Sequence, residues 1–581
     1  MVPWLPLVFL WLDFDASRTN CLRRAHGPPA FVAPQPVLPV RHRHTTYAKS
    51  GENVALHTVR GGQCFMPREQ MEQRQLQDQW LKVARSFGFA EYFVGVLAHA
   101  ELFDRSAVAH SDREHRNELY EFTDRKGRRL ALRGDVTPQF MAMLRDQRDA
   151  AGDLHRGDLG PNQTSKWFTL ADCWRYERPG RCRRRNHLQW TCDIVGSPGV
   201  DAEIELMTML VTFFRQVGPV GHFRLTRPQF KLTSDDIAIH ISHRDAAAAL
   251  LHVLGKSVPD TQWLYEFRKV LDKYRKASQP ELAEQLSPLG FSSGEADSLF
   301  EITSGCRSLS SLEQILPPDS AFIGVLRAIW EGLERAQCAD WLTIDLSIVR
   351  GSDYYTGTVF ECFDRLQPQR RAIAGGGRYD NYFGYRQPSY GVGFGMGNVA
   401  VADLLRSRGL FSPGGFADVV VFTPPMSADK DEVNNRFASD VISTISEMRR
   451  RGFRVYQYYK TGKRRKALEF AERLGATTFI CPRLNSGSED LFYEVHDVAA
   501  GCELLVALGE HVPDRRPCLL QRDGEPPHGD RRHPRLAAED VVVKLQDQLV
   551  LLQLIRLSAG AGVPQHVPLY LQGLVGHHQC A

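Results

Sequence analysis

Between Trp174 and Asp193 the chain sets out Trp174-Arg175-Tyr176-Glu177-Arg178-Pro179, then Arg181, Arg183, Arg184 and Arg185, then Gln189-Trp190-Thr191-Cys192-Asp193. A strand carrying Arg and Glu, an Arg-rich turn and a returning strand carrying an amide and a carboxylate predict a hairpin with cations at one end and recognition groups at the other. Such a hairpin can clamp a nucleotide. A solvated basic loop on a nucleic-acid-binding surface would also explain the arginines, but not Gln189 and Asp193 on the alternating face. Further polar blocks stand at Leu132-Arg133-Gly134-Asp135-Val136-Thr137-Pro138, at Val349-Arg350-Gly351-Ser352-Asp353-Tyr354-Tyr355-Thr356-Gly357-Thr358-Val359-Phe360-Glu361 and at Gly375-Gly376-Gly377-Arg378-Tyr379-Asp380. The run Gly391-Val392-Gly393-Phe394-Gly395-Met396-Gly397 lacks the spacing of a dinucleotide fingerprint. Its glycines fall on one face of a strand, where a flat ligand can lie against the backbone.

Taken together, these blocks resemble histidyl-tRNA synthetase, a class II aminoacyl-tRNA synthetase, over about residues 60–497, with the closest likeness to its cyanobacterial and plant-organelle branch. The resemblance implies an α+β fold: the class II antiparallel sheet core with a helical insertion, plus a C-terminal α/β anticodon-binding domain. It also implies the reaction, in which ATP and L-histidine form histidyl-adenylate and pyrophosphate and the histidyl group then passes to the terminal adenosine of tRNA(His). In-line attack of a carboxylate on the α-phosphate needs positioning and stabilisation of developing charge, which arginines and Mg2+ supply. By its place in the motifs Arg175 holds the α-phosphate and Arg350 is the second catalytic arginine. Glu177 and Arg183 meet the adenine and outer phosphates, and Gly393 and Gly395 belong to the ATP site. Asp193, Tyr354, Tyr355 and Tyr379 match positions around the imidazole, while Asp135, Thr137 and Gln189 fit the α-ammonium. Imidazole recognition requires such paired polar groups, because an apolar pocket discriminates rings poorly. The sequence departs from the family pattern in two places: Val399 and Ala400 stand where the third motif continues with Glu and Arg, and Cys182 stands where the hairpin loop usually has Gly. A non-catalytic paralogue, such as the regulatory subunit of ATP phosphoribosyltransferase or a tRNA sensor, is the rival reading. Those paralogues lack the C-terminal domain or the arginines that this chain keeps.

The elements that must position these groups are legible as patterns. Met66 to Phe87 reads as a long amphipathic helix closed by Gly88, Phe122 to Leu132 as a hairpin turning at Lys126-Gly127 within half of an antiparallel sheet, and Asp201 to Phe214 as a second helix. From about Thr233 to Cys338 helical periodicity dominates, which predicts an inserted helical module, and strands return from Leu342 to Phe363 and in the glycine blocks. The catalytic domain is therefore expected over residues 55–412. After it, strand and helix alternate through ADVVVFT, Phe437 to Arg450, FRVYQYY, Arg465 to Leu474 and TTFICP, the pattern of a separate α/β domain over residues 416–510. There Lys460, Lys463, Arg464, Arg465 and Lys466 cluster beside Tyr458 and Tyr459, a combination of phosphate attraction and base stacking expected to contact tRNA.

A chain of 581 residues with 43% hydrophobic and 24% charged residues has the composition of an ordinary multidomain globular protein. With 72 Lys+Arg against 68 Asp+Glu the net charge is only +4, so a polyanion must be met by local patches. Twelve Cys without a C-x-x-C pair argue against a disulfide scaffold and a structural zinc. Val2 to Leu12 is an apolar run the length of a signal-peptide core, and from Ala16 to Ser50 six cationic residues occur with no Asp or Glu. Residues 1–50 are therefore expected to be a bipartite targeting presequence, signal plus transit peptide, with Ala30-Phe31-Val32-Ala33-Pro34 resembling the cleavage motif for plastids of red-algal origin. Service to the mitochondrion as well is left open. The mature form is expected to be a homodimer without a membrane segment, and residues 511–581 form an extension to which the sequence assigns no role.

Overall fold

In a computed structural model the chain is described over residues 58–105, 118–150, 164–216, 232–275, 277–317, 320–349, 354–367, 371–382, 390–411, 415–422, 432–459, 464–484, 491–498 and 502–507. The expected presequence and C-terminal extension lie outside the described residues, as do Arg350, Lys460 and Lys463.

Helix α1 (Pro67–Ser86) opens with Pro, and the Glu69 carboxylate accepts the Met66 N–H at 2.9 Å. It ends at Gly88, whose φ of 76° is left-handed. Its face Leu76, Trp80, Val83 and Ala84 is buried at i, i+4, i+7 spacing. After the short strand β1 (Ala90–Glu91) come β2 (Leu97–His99), helix α2 (Ala100–Arg105), β3 (Tyr120–Thr123) and β4 (Arg129–Leu132). The predicted hairpin forms, turning at Gly127 with φ 79°, where Asp124 accepts the N–H groups of Lys126 and Arg128. It belongs to a separate three-stranded antiparallel sheet of order β2-β4-β3.

The main sheet has eight strands. Helix α3 (Thr137–Ala150) leads into the long antiparallel pair β5 (Ser165–Trp174) and β6 (Asn186–Val195), and α4 (Asp201–Gln216) packs Leu206, Met207, Leu210, Phe213 and Phe214 into the core. Next, β7 (Ile237–His243) precedes six helices: α5 (Ala246–Val253), α6 (Thr261–Asp272), α7 (Gln279–Leu286), α8 (Ser293–Gly305), α9 (Leu309–Ile315) and α10 (Ala321–Arg335). Strands β8 (Leu342–Ile344), β9 (Thr358–Asp364), β10 (Ala374–Arg378) and β11 (Gly391–Gly397) return to the sheet, followed by α11 (Asn398–Ser407). Strand order is β1-β5-β6-β11-β10-β9-β7-β8, antiparallel except for the β1–β5 and β7–β8 pairs at its edges. The helical stretch expected from about Thr233 thus begins one strand late, because β7 is buried at every position between β9 and β8. Its helices show their starts in sequence: Ser278 with Glu281 and Ser292 with Glu295 are reciprocal capping pairs.

Residues after 415 build a second sheet from β12 (Val419–Phe422), α12 (Glu432–Arg450), β13 (Val455–Tyr458), α13 (Arg464–Leu474), β14 (Thr478–Leu484), β15 (Leu491–Asp497) and β16 (Cys502–Ala507). The order β13-β12-β14-β15-β16 contains the three expected parallel strands and adds an antiparallel hairpin to them. Among the described residues no helix is long and apolar enough to cross a membrane.

Trp80 of α1 stacks on Trp190 of β6 with centroids 5.9 Å apart, which fastens the first helix to the centre of the main sheet. Arg378, at the end of β10, meets Glu203 of α4 in a bidentate pair at 2.7 and 2.6 Å, with Glu203 fully buried. Two backbone carbonyls, of Ser197 and Gly199, saturate the same guanidinium. Breaking a buried pair from one side leaves an uncompensated charge and costs about 3–5 kcal/mol. Glu203→Ala should therefore lower the unfolding free energy by that order, measured by urea titration; a loss under about 1 kcal/mol would show that the carbonyls, with Asp380 at 3.3 Å from the same guanidinium, suffice to hold Arg378.

Candidate functional site

The glycines of β11 are there because side chains of neighbouring strands need their space. A Cβ on Gly393 would run into the Asp193 carboxylate, one on Gly395 into the Gln189 amide, and one on Gly391 into the Tyr379 ring. Each glycine faces a residue singled out from the sequence, so the flat run and the polar groups beside it are one device. Gly393 pairs with Asp193 and Gly397 with Gln189 in the β11–β6 register.

Asp193 is 1% exposed, and its Oδ1 accepts the Tyr379 hydroxyl at 2.6 Å. Its Oδ2 is buried without a hydrogen-bond partner among the described residues. Burial pushes this carboxyl up to about 8, Tyr379 opposing and the Asp135 charge reinforcing the shift. At neutral pH the group is therefore largely protonated, and an N–H donor placed at Oδ2 would favour its ionised form. Tyr354 donates to Asp135 at 3.3 Å, lies 3.4 Å from the Tyr355 hydroxyl and packs edge-on against Tyr379.

Asp135 sits at the entry to α3, where its Oδ1 accepts the Val136 N–H at 2.7 Å and faces the Thr137 hydroxyl and the Gln189 amide at 3.4 and 3.5 Å. The loop before it is held by buried Arg133, which donates to the carbonyls of Asp172, Val94 and Gly95. Thr137 and Gln189 thus donate to a carboxylate whose negative charge suits an ammonium.

At the other end the β5–β6 loop supplies cations. Arg175 is fixed by its Nε donating to the Gly134 carbonyl at 2.9 Å, with its backbone N–H on the Arg185 carbonyl. Arg183 is paired with Glu177 and, at 3.7 Å, with Glu118. Burial lowers its guanidinium to about 10, still cationic at neutral pH. Arg185 lies over the Tyr176 ring at 4.1 Å. Cys182 takes the left-handed conformation, φ 58°, and its thiol donates to Asp403 at 3.3 Å.

A cavity of about 400 Å³ is lined by Asp135, Thr137, Arg175, Glu177, Arg183, Gln189, Asp193, Tyr354, Tyr355, Tyr379, Gly393 and Gly395, so these segments, up to 260 residues apart, meet at one place. Val399, Ala400 and Cys182 line it too. The sequence reading missed Arg371, Arg275, Ser347 and His187 in the same wall. Burial and Arg175 push His187 down to about 4, which leaves it a neutral ring. Arg371, Arg275 and Ser347 lie outside the blocks that drew the eye, Arg371 just before the glycine block and Arg275 after α6, whereas His187 falls inside the hairpin between its named residues.

In the second sheet Arg464 meets Glu494 and His496, and Arg465 pairs with Glu469 at 3.0 Å. Arg464 and Arg465 therefore have acidic neighbours of their own.

Residues 63–399 match the family model described as histidyl-tRNA synthetase. The chain belongs to the histidyl-tRNA synthetase family. It is 34% identical over 363 residues to a histidine–tRNA ligase, chloroplastic/mitochondrial, of Arabidopsis thaliana, covering 62% of this chain and 68% of that one. It is 34% identical over 343 residues to a histidine–tRNA ligase of Opitutus terrae, covering 57% and 70%. The crystal structure of histidyl-tRNA synthetase from Nostoc sp. superposes with a TM-score of 0.59 at 19% identity, covering 78% of this chain and 97% of that one, which establishes the shared fold. The family is one of ATP-dependent aminoacyl-tRNA synthetases, and the α+β class II fold expected from the sequence is the fold observed.

The buried acid makes a prediction with a definite sign. Asp193 is ionised in the unfolded chain above about pH 4 but stays protonated in the folded one until about 8. Folding takes up a proton in that window, so stability falls as pH rises through it. Relative to wild type, Asp193→Asn should flatten the decline of the melting temperature between pH 5 and 8; parallel curves for the two proteins would mean that Asp193 ionises freely.

Proposed function

We propose that the cavity is the adenylation site of a histidine–tRNA ligase that activates L-histidine with ATP and transfers it to tRNA(His). The observation that carries this reading is the buried Asp193 with its orphaned Oδ2, set among Tyr354, Tyr355 and Tyr379 and at the opposite end from Arg175. An imidazole N–H meets the unpartnered oxygen, the α-ammonium meets Asp135, Thr137 and Gln189, and the carboxylate is left pointing toward the arginines. A histidine carboxylate oxygen then forms a bond to the α-phosphorus as the bond to the bridging oxygen breaks, and pyrophosphate leaves with the electron pair. Arg175, oriented by Gly134, stabilises charge on the α-phosphate, and Arg350 is proposed as the second arginine on the strength of the motif alone. Arg183 and Glu177 serve the adenine and outer phosphates, with Gly393 and Gly395 as the floor. Among the described residues no group of three or more His, Cys, Asp or Glu suits a metal ion. Mg2+ is proposed to enter as part of the MgATP substrate, where it would neutralise phosphate charge.

Support for the further assignments is of other kinds. The basic stretch Lys460, Lys463, Arg464 and Arg465 is proposed to contact tRNA. Phe93, Leu97 and Phe122, exposed on or beside the small sheet, support a homodimer. The composition of residues 1–50 and the Arabidopsis relative, named as chloroplastic/mitochondrial, support an organellar protein, with the plastid first and the mitochondrion second.

Histidine-dependent exchange of pyrophosphate into ATP tests the reading. Wild type should exchange with histidine and no other amino acid, and Arg175→Ala should lower kcat/KM about 10²- to 10³-fold. A folded protein without exchange would favour the non-catalytic reading that Val399, Ala400 and Cys182 leave room for. A reporter carrying residues 1–60 should enter an organelle; cytosolic retention would refute the presequence.

A further inference from the structure

Arg371 lies between β9 and β10, outside every motif block, yet its side chain lines the cavity beside Arg175, Arg183 and Arg184. The other cations there are already engaged. Arg183 is held by Glu177 and Glu118, Arg184 donates to the carbonyls of Gly180 and Arg183, and Arg175 has its Nε on the Gly134 carbonyl. Arg371 has neither a hydrogen bond nor an ion pair among the described residues. Although the residue as a whole is exposed, partial desolvation of its guanidinium in the cavity wall pushes it below the ordinary arginine range, and the nearby Arg175 charge pushes the same way against the pull of Glu118. Two guanidiniums of like charge in one partly desolvated wall repel each other unless an anion stands between them. Across the same cavity Val399 and Ala400 at the start of α11 carry no donor side chain to share the counter-charge with Arg183 and Arg371.

We propose that Arg371 is a substrate-contacting residue that receives the outer phosphates of ATP, as the uncommitted fork beside an Arg175 assigned to the α-phosphate. The inference rests on the synthetase reading above and adds to it a residue that the motifs do not contain. A guanidinium presents parallel donors to two phosphate oxygens, which an isolated ammonium does not. Arg371 then contributes to the affinity for ATP and for pyrophosphate, and nothing to that for histidine or AMP.

The test uses the full chain and three proteins: wild type, Arg371→Ala and Arg371→Lys. Because Arg371 is exposed and unpaired, neither substitution removes packing, and equal melting temperatures check this. In pyrophosphate exchange, Arg371→Ala should raise the KM for ATP and for pyrophosphate about 10- to 100-fold at unchanged KM for histidine, with Arg371→Lys in between. In direct binding, wild type should prefer ATP to AMP, and Arg371→Ala should lose most of that preference while binding AMP as before. An active wild type whose preference for ATP survives in Arg371→Ala overturns the assignment of Arg371 alone. A wild type that binds no ATP overturns the synthetase reading, and Arg371 falls with it.

Discussion

A carboxyl group buried at 1% exposure in an interior strand of a sheet sets the terms for everything around it. Asp193 fits on β6 only because β11 offers Gly393 where any other residue would put a Cβ into the carboxylate. Once there, it cannot be left without partners: burying a charge costs far more than one hydrogen bond returns, so the group stays protonated or finds a donor. Tyr379 covers one oxygen at 2.6 Å and leaves the other. The adjacent glycine block of β10 follows from the same constraint, since a Cβ on Gly376 would collide with the Gly393 backbone and the Phe360 ring. Recognition chemistry and sheet packing are thus specified by the same residues. Substituting a glycine here would disturb the site and the fold together.

The rest of the architecture serves to keep that strand pair in place. Trp190, on the opposite face of β6 from Asp193's pocket neighbours, stacks with Trp80 and meets Phe213 and Phe394. Arg378 closes the other side through Glu203, so β10, whose next residue is Tyr379, is pinned to α4. Positions in the site therefore inherit the rigidity of the core. The cationic end is different in kind: its arginines sit on a loop and are held by carbonyls and by Glu118 and Glu177. A site with one end built on strands and the other on a loop can hold a small rigid ligand closely and still admit a flexible charged one.

Much of this was legible in sequence, and for identifiable reasons. The hairpin around Arg175 to Asp193 and the glycine strands showed because their chemistry is dense and local. Helix α1 and the helical run before Cys338 showed because helix periodicity is local as well. Strand β7 did not: IAIHISH is buried at every position and runs straight into an alanine-rich helix, so no alternation marks it. The pair β15–β16 was missed because only the parallel strands were sought in an alternating α/β pattern. Arg371 and Arg275 were missed because a single arginine outside a motif has no sequence signature; only the topology, which returns β10 to the sheet beside β11, brings Arg371 to the cavity.

Cys182 shows how a departure from pattern can be absorbed. A β-carbon in the left-handed region costs roughly 1–2 kcal/mol, which a glycine would avoid. Here the thiol reaches Asp403 at 3.3 Å, and Arg181 approaches the same carboxylate at 3.6 Å. Both contacts tie the tip of the β5–β6 loop to α11, the helix that begins with Val399 and Ala400 in its first turn. Glycine would relax the backbone and lose one of these two tethers. The loop that carries Arg175 and Arg183 is thereby fastened to the helix whose cavity-lining residues, Val399 and Ala400, carry no charge. Strain at Cys182 is thus offset by a link that holds the loop's arginines over the part of the cavity where α11 supplies no charge.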